Sequence, residues 1–178
     1  PFKENNQPDL SYIEHAAESI SSFLRPGNLV ILESTVPVHT TEKLASILKS
    51  NRVDLSFPEY KVNGGTSDVN IAHCPERVLP GNILHELVHN DRTIGGLTKE
   101  CSEKAMQFYS SFVKGVCNVS DSRTAELSKL VENSFRDVNI AFANELSLIA
   151  DRLDINVWDL IEISNFHPRV NILQPGPG

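Results

Sequence analysis

The chain of 178 residues holds 23 Asp and Glu against 16 Lys and Arg, a formal net charge of −7. That surplus of acid excludes a broad nucleic-acid-binding face, which needs the opposite sign. With 40% apolar residues a sizeable core is available, yet no apolar run approaches the roughly 18 residues of a membrane span.

From the amino end, residues 11–24 repeat with a helical period. Ile13, Ala16, Ala17, Ile20 and Phe23 or Leu24 fall on one side, and Pro26-Gly27 ends the pattern. Leu29-Val30-Ile31-Leu32 is a short unbroken apolar run, the mark of a strand covered on both faces. Glu33-Ser34-Thr35-Val36-Pro37 closes it, and residues 40–49 read as the next helix. The polar, Gly- and Asn-rich stretch 50–67 reads as a long loop or insertion. Residues 69–73 form a second strand, running into Cys74-Pro75-Glu76-Arg77-Val78-Leu79-Pro80-Gly81, which two prolines keep irregular. A third strand spans 91–97, followed by a helix over 99–113 and a short strand over 115–120. This alternation predicts a parallel α/β layout. Beyond residue 121 the pattern changes: 123–151 is one long helix without Gly or Pro, and a shorter helix covers 157–164. A domain boundary is expected near residue 121.

Cys74, Cys101 and Cys117 are odd in number, form no CxxC pair and follow no secretory leader. They read as reduced, structural thiols of a cytoplasmic protein. His73, His85 and His89 lack metal-ligand spacing, so no metal is expected. Gly64-Gly65 and Gly95-Gly96 are too short for phosphate loops, and no GxGxxG occurs. Pro1 in place of an initiator Met, and the turn-forming tail Gln174-Pro175-Gly176-Pro177-Gly178, are expected to be cuts through a longer protein.

The long helix carries the densest chemistry. Leu127, Val131, Val138, Phe142 and Ile149 share one stripe, the expected buried face. Lys129, Asn133 and Arg136, spaced i, i+4, i+7, lie within about 60° of one another on the opposite side. An ammonium, an amide and a guanidinium pointing one way suit a phosphate-bearing or hydroxyl-rich ligand, although pattern alone favours a solvated face. Ser34 and Thr35 sit where a buried parallel strand ends, the place at which open α/β sheets bind ligands. An ordinary turn into the next helix accounts for them equally well. Glu76 follows the second strand in the same topological position, as a general acid/base or as a solvated loop carboxylate. Arg77 and Val78 would offer side-chain or main-chain groups to the same ligand. His167-Pro168-Arg169 reads as an anion-binding loop or a plain surface loop.

The order of four segments says more than any one of them. Glu33-Ser34-Thr35-Val36-Pro37, then Cys74 to Gly81, then Arg92-Thr93-Ile94-Gly95-Gly96, then residues 125–139 together resemble the UDP-glucose/GDP-mannose dehydrogenase family over essentially the whole chain. The CPERVLPG form and the tail from His167 to Gly178 look like the branch that acts on UDP-N-acetyl-D-mannosamine. Pro80 stands where UDP-glucose dehydrogenases carry a second glutamate, which fits that branch; UDP-N-acetylglucosamine and UDP-glucose are the alternative substrates.

The resemblance implies that residues 1–121 are the C-terminal part of a Rossmann-like NAD-binding domain. Residues 122–178 would be a helical central domain forming a homodimer through the long helix. The dinucleotide fingerprint would precede Pro1, and a catalytic cysteine would follow Gly178. The implied reaction oxidises a sugar CH₂OH to a carboxylate with two NAD through a cysteine thioester. By the same resemblance Lys129 stabilises the oxyanion, Asn133 is its catalytic amide neighbour on the sugar side, Glu76 is the acid/base, and Thr35, with Ser34, lies beside the nicotinamide and the catalytic water. Arg77, Val78 and Arg136 would grip the sugar nucleotide, and His167 and Arg169 would reach the neighbouring subunit's site. Two readings compete: a dimerisation and binding module without turnover, and a β-hydroxyacid dehydrogenase, which makes one NADH per substrate.

Overall fold

The computed structural model describes residues 3–4, 7–62, 66–78 and 81–177. Gly64, Gly65, Leu79 and Pro80, which entered the sequence reading, lie outside them. The chain divides into two compact units, Pro1–Lys129 and Leu130–Gly178.

In the first unit the elements run α1 (Ser11–Ser21), β1 (Leu29–Leu32), α2 (Thr40–Asn51), β2 (Asn70–His73), α3 (Ile83–His89), β3 (Arg92–Gly96), α4 (Lys99–Tyr109) and β4 (Cys117–Asp121). Then α5 (Ser122–Arg152) begins and passes into the second unit after Lys129. The strands form one mixed sheet in the order β1-β2-β3-β4. β1 and β2 pair in parallel, as do β3 and β4, but β2 and β3 are antiparallel, with Ala72 opposite Gly96 and His73 opposite Gly95. The expected parallel layout therefore holds for two of three pairings. A parallel return needs a crossover packed on the sheet, and α3, which sequence patterning missed, has no buried residue with which to cover a face.

Side chains of β2 alternate between the two faces of the sheet. Ile71 joins Ala17, Leu24, Val36, Leu44 and Leu48 in one hydrophobic cluster. Ala72 and Cys74 join Ile94, Ala105, Tyr109 and Val113 in the other. The stretch after α2 is not a loose insertion: Arg52 donates to the carbonyls of Ser21 (2.8 Å) and Leu24 (2.7 Å), and Phe57 is buried in the first cluster. Gly95 needs to be glycine for contact rather than conformation. A Cβ there would lie 2.3 Å from the Asp121 carbonyl oxygen and 2.7 Å from the Ala125 Cβ, so its absence lets the start of α5 sit against β3.

In the second unit α5 ends where Asp154 adopts a left-handed conformation (φ 54°) and Ile155 N–H bonds back to the Ala150 carbonyl at 2.9 Å. Asn156 then caps α6 (Val157–Ser164), accepting from Trp158 N–H at 3.0 Å. The tail 171–176 has no strand or helix partner; asparagine amides satisfy it instead. Asn139 donates to the Asn171 carbonyl and accepts from Leu173 N–H, Asn165 does the same for Ile172, and Asn144 for Gly176, at 2.7–3.0 Å. Each side-chain amide thereby imitates the donor–acceptor pair of a neighbouring strand.

The apolar stripe of α5 overturns an expectation. Its members are exposed, from 49% at Leu127 to 70% at Val138. The buried positions of the helix are Ser122, Ala125 and Glu126 in the first unit and Ile140, Ala143 and Ala150 in the second. Periodicity identifies a stripe as apolar; it does not say which body covers it. At about 100° per residue, those buried positions fall within about 120° on the side that also carries Lys129, Asn133 and Arg136.

Candidate functional site

Two loops leave the carboxyl ends of the parallel strands β1 and β2, and a main-chain hydrogen bond joins them: Glu76 N–H donates to the Glu33 carbonyl at 3.1 Å. In the first loop Ser34 and Thr35 are exposed, and among the described residues no hydrogen bond engages either hydroxyl. In the second, the Glu76 carboxylate is held at both oxygens. Oε1 accepts from the main-chain N–H groups of Arg77 (2.7 Å) and Val78 (2.8 Å), and Oε2 lies 3.6 Å from Arg92 Nη1. The backbone donors of Arg77 and Val78 are thus committed to Glu76.

Arg92 is 2% exposed and donates from Nη2 to the Leu87 carbonyl at 3.0 Å. Its guanidinium lies 5.5 Å from the centre of the Tyr109 ring, and the Tyr109 hydroxyl donates to Glu33 Oε1 at 2.6 Å. Glu33, Tyr109, Arg92 and Glu76 therefore form one chain of contacts from the hydroxyl loop to the carboxylate loop. Burial, with Glu33 beside it, pushes the Tyr109 hydroxyl far above its usual range, so it stays a proton donor. Burial likewise pushes the Cys74 thiol up, which makes it a packing residue and no nucleophile. Beside this chain, His73 is fully buried, among the described residues neither ring nitrogen has a hydrogen-bond partner, and burial lowers its pKa from 6.5 to about 4.

Lys129 stands on α5, partly buried, and among the described residues no ion pair or hydrogen bond engages its ammonium. The helix beneath it is firmly tied to the rest of the first unit. Asp121 caps its first turn through Thr124 N–H (3.1 Å) and accepts from the Tyr60 hydroxyl (3.0 Å). Arg123 makes a two-point contact with Glu42 (2.8 and 3.0 Å) and stacks 3.8 Å from the centre of the Tyr60 ring. Glu126, 1% exposed, accepts from His39 N–H (2.7 Å), Thr41 N–H (2.7 Å) and the Thr41 hydroxyl (2.6 Å). Sequence reading passed over Glu126, and no local signal could have found it, because Thr41 lies 85 residues away.

The remaining sequence candidates belong to the second unit. Asn133 and Arg136 lie in the stretch 131–138, where every residue is exposed. His167 and Arg169 are exposed in a tight turn after α6, in which Val170 N–H bonds to the His167 carbonyl at 2.9 Å and Arg169 N–H to His167 Nδ1 at 3.3 Å.

Comparison with known proteins identifies the family. Residues 1–113 match the NAD binding domain of the UDP-glucose/GDP-mannose dehydrogenase family, and residues 123–178 match that family's central domain. The chain belongs to the UDP-glucose/GDP-mannose dehydrogenase family. It is 62% identical over its whole length to the NDP-N-acetyl-D-galactosaminuronic acid dehydrogenase of Ralstonia nicotianae, and 60% identical to the UDP-N-acetyl-D-mannosamine dehydrogenase of Escherichia coli K12. In each case it spans 42% of the relative's length. Among solved structures, the UDP-D-ManNAc dehydrogenase of Pyrococcus horikoshii superposes with a TM-score of 0.89 at 44% identity, over all of this chain and 40% of that one. The family assignment covers both units and accounts for a mixed α/β sheet leading into a long helix.

Proposed function

We propose that the full-length protein is an NAD-dependent dehydrogenase that oxidises C6 of UDP-N-acetyl-D-mannosamine to the uronic acid in two hydride transfers. The observation that carries the chemistry is Glu76, a carboxylate fixed by two backbone N–H groups and Arg92, in a loop hydrogen-bonded through its main chain to the loop that holds Ser34 and Thr35. The sugar is carried by whole-length identity of about 60% to several proteins named for that activity.

The described residues fit one end of NAD. Ser34 and Thr35 offer free hydroxyls at the carboxyl end of β1, where such sheets bind ligands. The start of α2 offers no pyrophosphate cradle, because the Glu126 carboxylate already takes its N–H groups. The cofactor's phosphates therefore need donors other than these N–H groups. When bound, NAD supplies the hydride acceptor. In this reading residues 1–121 are the later part of the NAD-binding domain, and residues 122–178 are the central domain of a cytoplasmic homodimer paired through the α5 stripe.

Within that site Glu76 takes the proton of the C6 hydroxyl as a hydrogen of C6 leaves as hydride, and Thr35 orients the water that ends the sequence. A cysteine outside this chain traps the aldehyde, and the second oxidation leaves a thioester that water cleaves to the carboxylate. Each addition places negative charge on the substrate oxygen. The Lys129 ammonium is assigned to stabilise that charge, with the Asn133 amide as its neighbour on the sugar side. Arg77, Val78 and Arg136 hold the sugar nucleotide, with His167 and Arg169 supplied by the neighbouring subunit.

A second reading follows from the Ralstonia relatives, which are named for NDP-N-acetyl-D-galactosaminuronic acid. Initial rates of the full-length enzyme with NAD separate the two. The expected order places UDP-N-acetyl-D-mannosamine well above UDP-N-acetylgalactosamine, UDP-N-acetylglucosamine and UDP-glucose. A faster rate with any of the other three overturns the substrate assignment.

A further inference from the structure

Glu126 is a buried carboxylate, and among the described residues none of its hydrogen-bond partners is a basic side chain. Buried charge without a counter-ion persists only where hydrogen bonds replace water. Here all three donors come from the start of α2, where the unpaired N–H groups and the positive end of the helix dipole favour an anion. Those donors sit at a meeting point. His39, in a left-handed conformation (φ 78°), is four residues past Thr35, and Glu126 is three residues before Lys129.

We infer that Glu126 is a positioning residue, coupling the Ser34–Thr35 loop to Lys129 through the N-terminus of α2. This role rests on the dehydrogenase reading above. Apolar packing fixes the spacing of two helices but resists rotation about a helix axis weakly; three directional bonds to one carboxylate fix the rotation. At a side-chain radius of about 6 Å, a turn of about 10° in α5 carries its side chains roughly 1 Å along an arc. A displacement of that size in a catalytic group costs on the order of 10²-fold in rate.

The test is Glu126→Gln in the full-length enzyme. The amide keeps the volume but sets an N–H donor against a main-chain donor, breaking at least one of the bonds. With UDP-N-acetyl-D-mannosamine and NAD, kcat is expected to fall roughly 10- to 100-fold while both KM values stay within about threefold. Amide exchange at His39 or Thr41, whichever faces the new NH₂ group, should accelerate in the same variant. From the other end of the tie, Thr41→Val should lower kcat and Thr41→Ser should not. Combining Thr41→Val with Glu126→Gln should add little beyond Glu126→Gln alone, as expected for partners in one interaction. If Glu126→Gln does not fold, the Thr41 pair decides. An unchanged kcat in Glu126→Gln, or fully additive losses, overturns the coupling. A wild-type enzyme inactive on every UDP-sugar refutes the dehydrogenase reading instead; protected His39 and Thr41 amides would then support the tie, and unprotected ones would refute it.

Discussion

Residues 1–129 hold both hydrophobic clusters found among the described residues, packed on the two faces of a four-stranded sheet. Residues 130–178 bury Ile140, Ala143, Ala150 and Ile161 while leaving Val138, Phe142, Trp158 and Phe166 in solvent. The two units also satisfy their backbones differently, the first by strand pairing and a carboxylate at a helix start, the second by three asparagine amides along an extended tail. The contrast separates two sources of stability. One unit is stabilised by its own core, whereas the other displays a continuous apolar stripe of the kind that marks an interaction surface.

Three changes sharpen or break that contrast. The largest effect is expected from Lys129→Ala in the full-length enzyme, with kcat lower by about 10²- to 10³-fold and KM little altered, because the proposed oxyanion would exist only along the reaction path. The oligomeric state should not change. An unaltered turnover number would remove Lys129 from the chemistry.

Acid should act on the first unit through His73. Its folded pKa of about 4 lies below the unfolded 6.5, so folding favours the neutral ring. The stability it confers is full above pH 6.5, drains away as pH falls toward 4, and loses nothing further below that. The window of about 2.5 units corresponds to about 3 kcal/mol. Urea unfolding at pH 7 and pH 4.5 should show most of that loss in the wild type and a smaller one in His73→Leu. Equal slopes with pH in both proteins would assign the acid sensitivity elsewhere.

Val138→Glu, in the exposed stripe of the second unit, should weaken the proposed homodimer by at least roughly tenfold by setting a charge into the apolar contact that this reading places there. Thermal unfolding of the first unit should stay where it was. Sedimentation that shows an undisturbed dimer would move the interface off this stripe.

The fold was legible where a single segment carries its own cause. Leu29–Leu32 is apolar throughout and becomes a strand; the stretch after Ser122 lacks any breaker and becomes a 31-residue helix. Legibility failed where the cause lies elsewhere in the chain. The antiparallel turn of β3 depends on α3 failing to cover the sheet. The exposure of the α5 stripe depends on what packs against it, which periodicity does not encode. The candidate site shows the same division. Ser34, Thr35 and Glu76 could be named from their place at strand ends. The Arg92 and Tyr109 side chains that connect their loops, and the Glu126 tie to α2, are long-range contacts between residues whose local patterns read as ordinary core or helix.

Counting NADH against substrate tests the proposed activity most directly. The full-length enzyme, given limiting UDP-N-acetyl-D-mannosamine and excess NAD, is expected to form two NADH per sugar with no aldehyde captured by an added carbonyl trap. One NADH per sugar, or an aldehyde released to the trap, would contradict a single site that carries both oxidations.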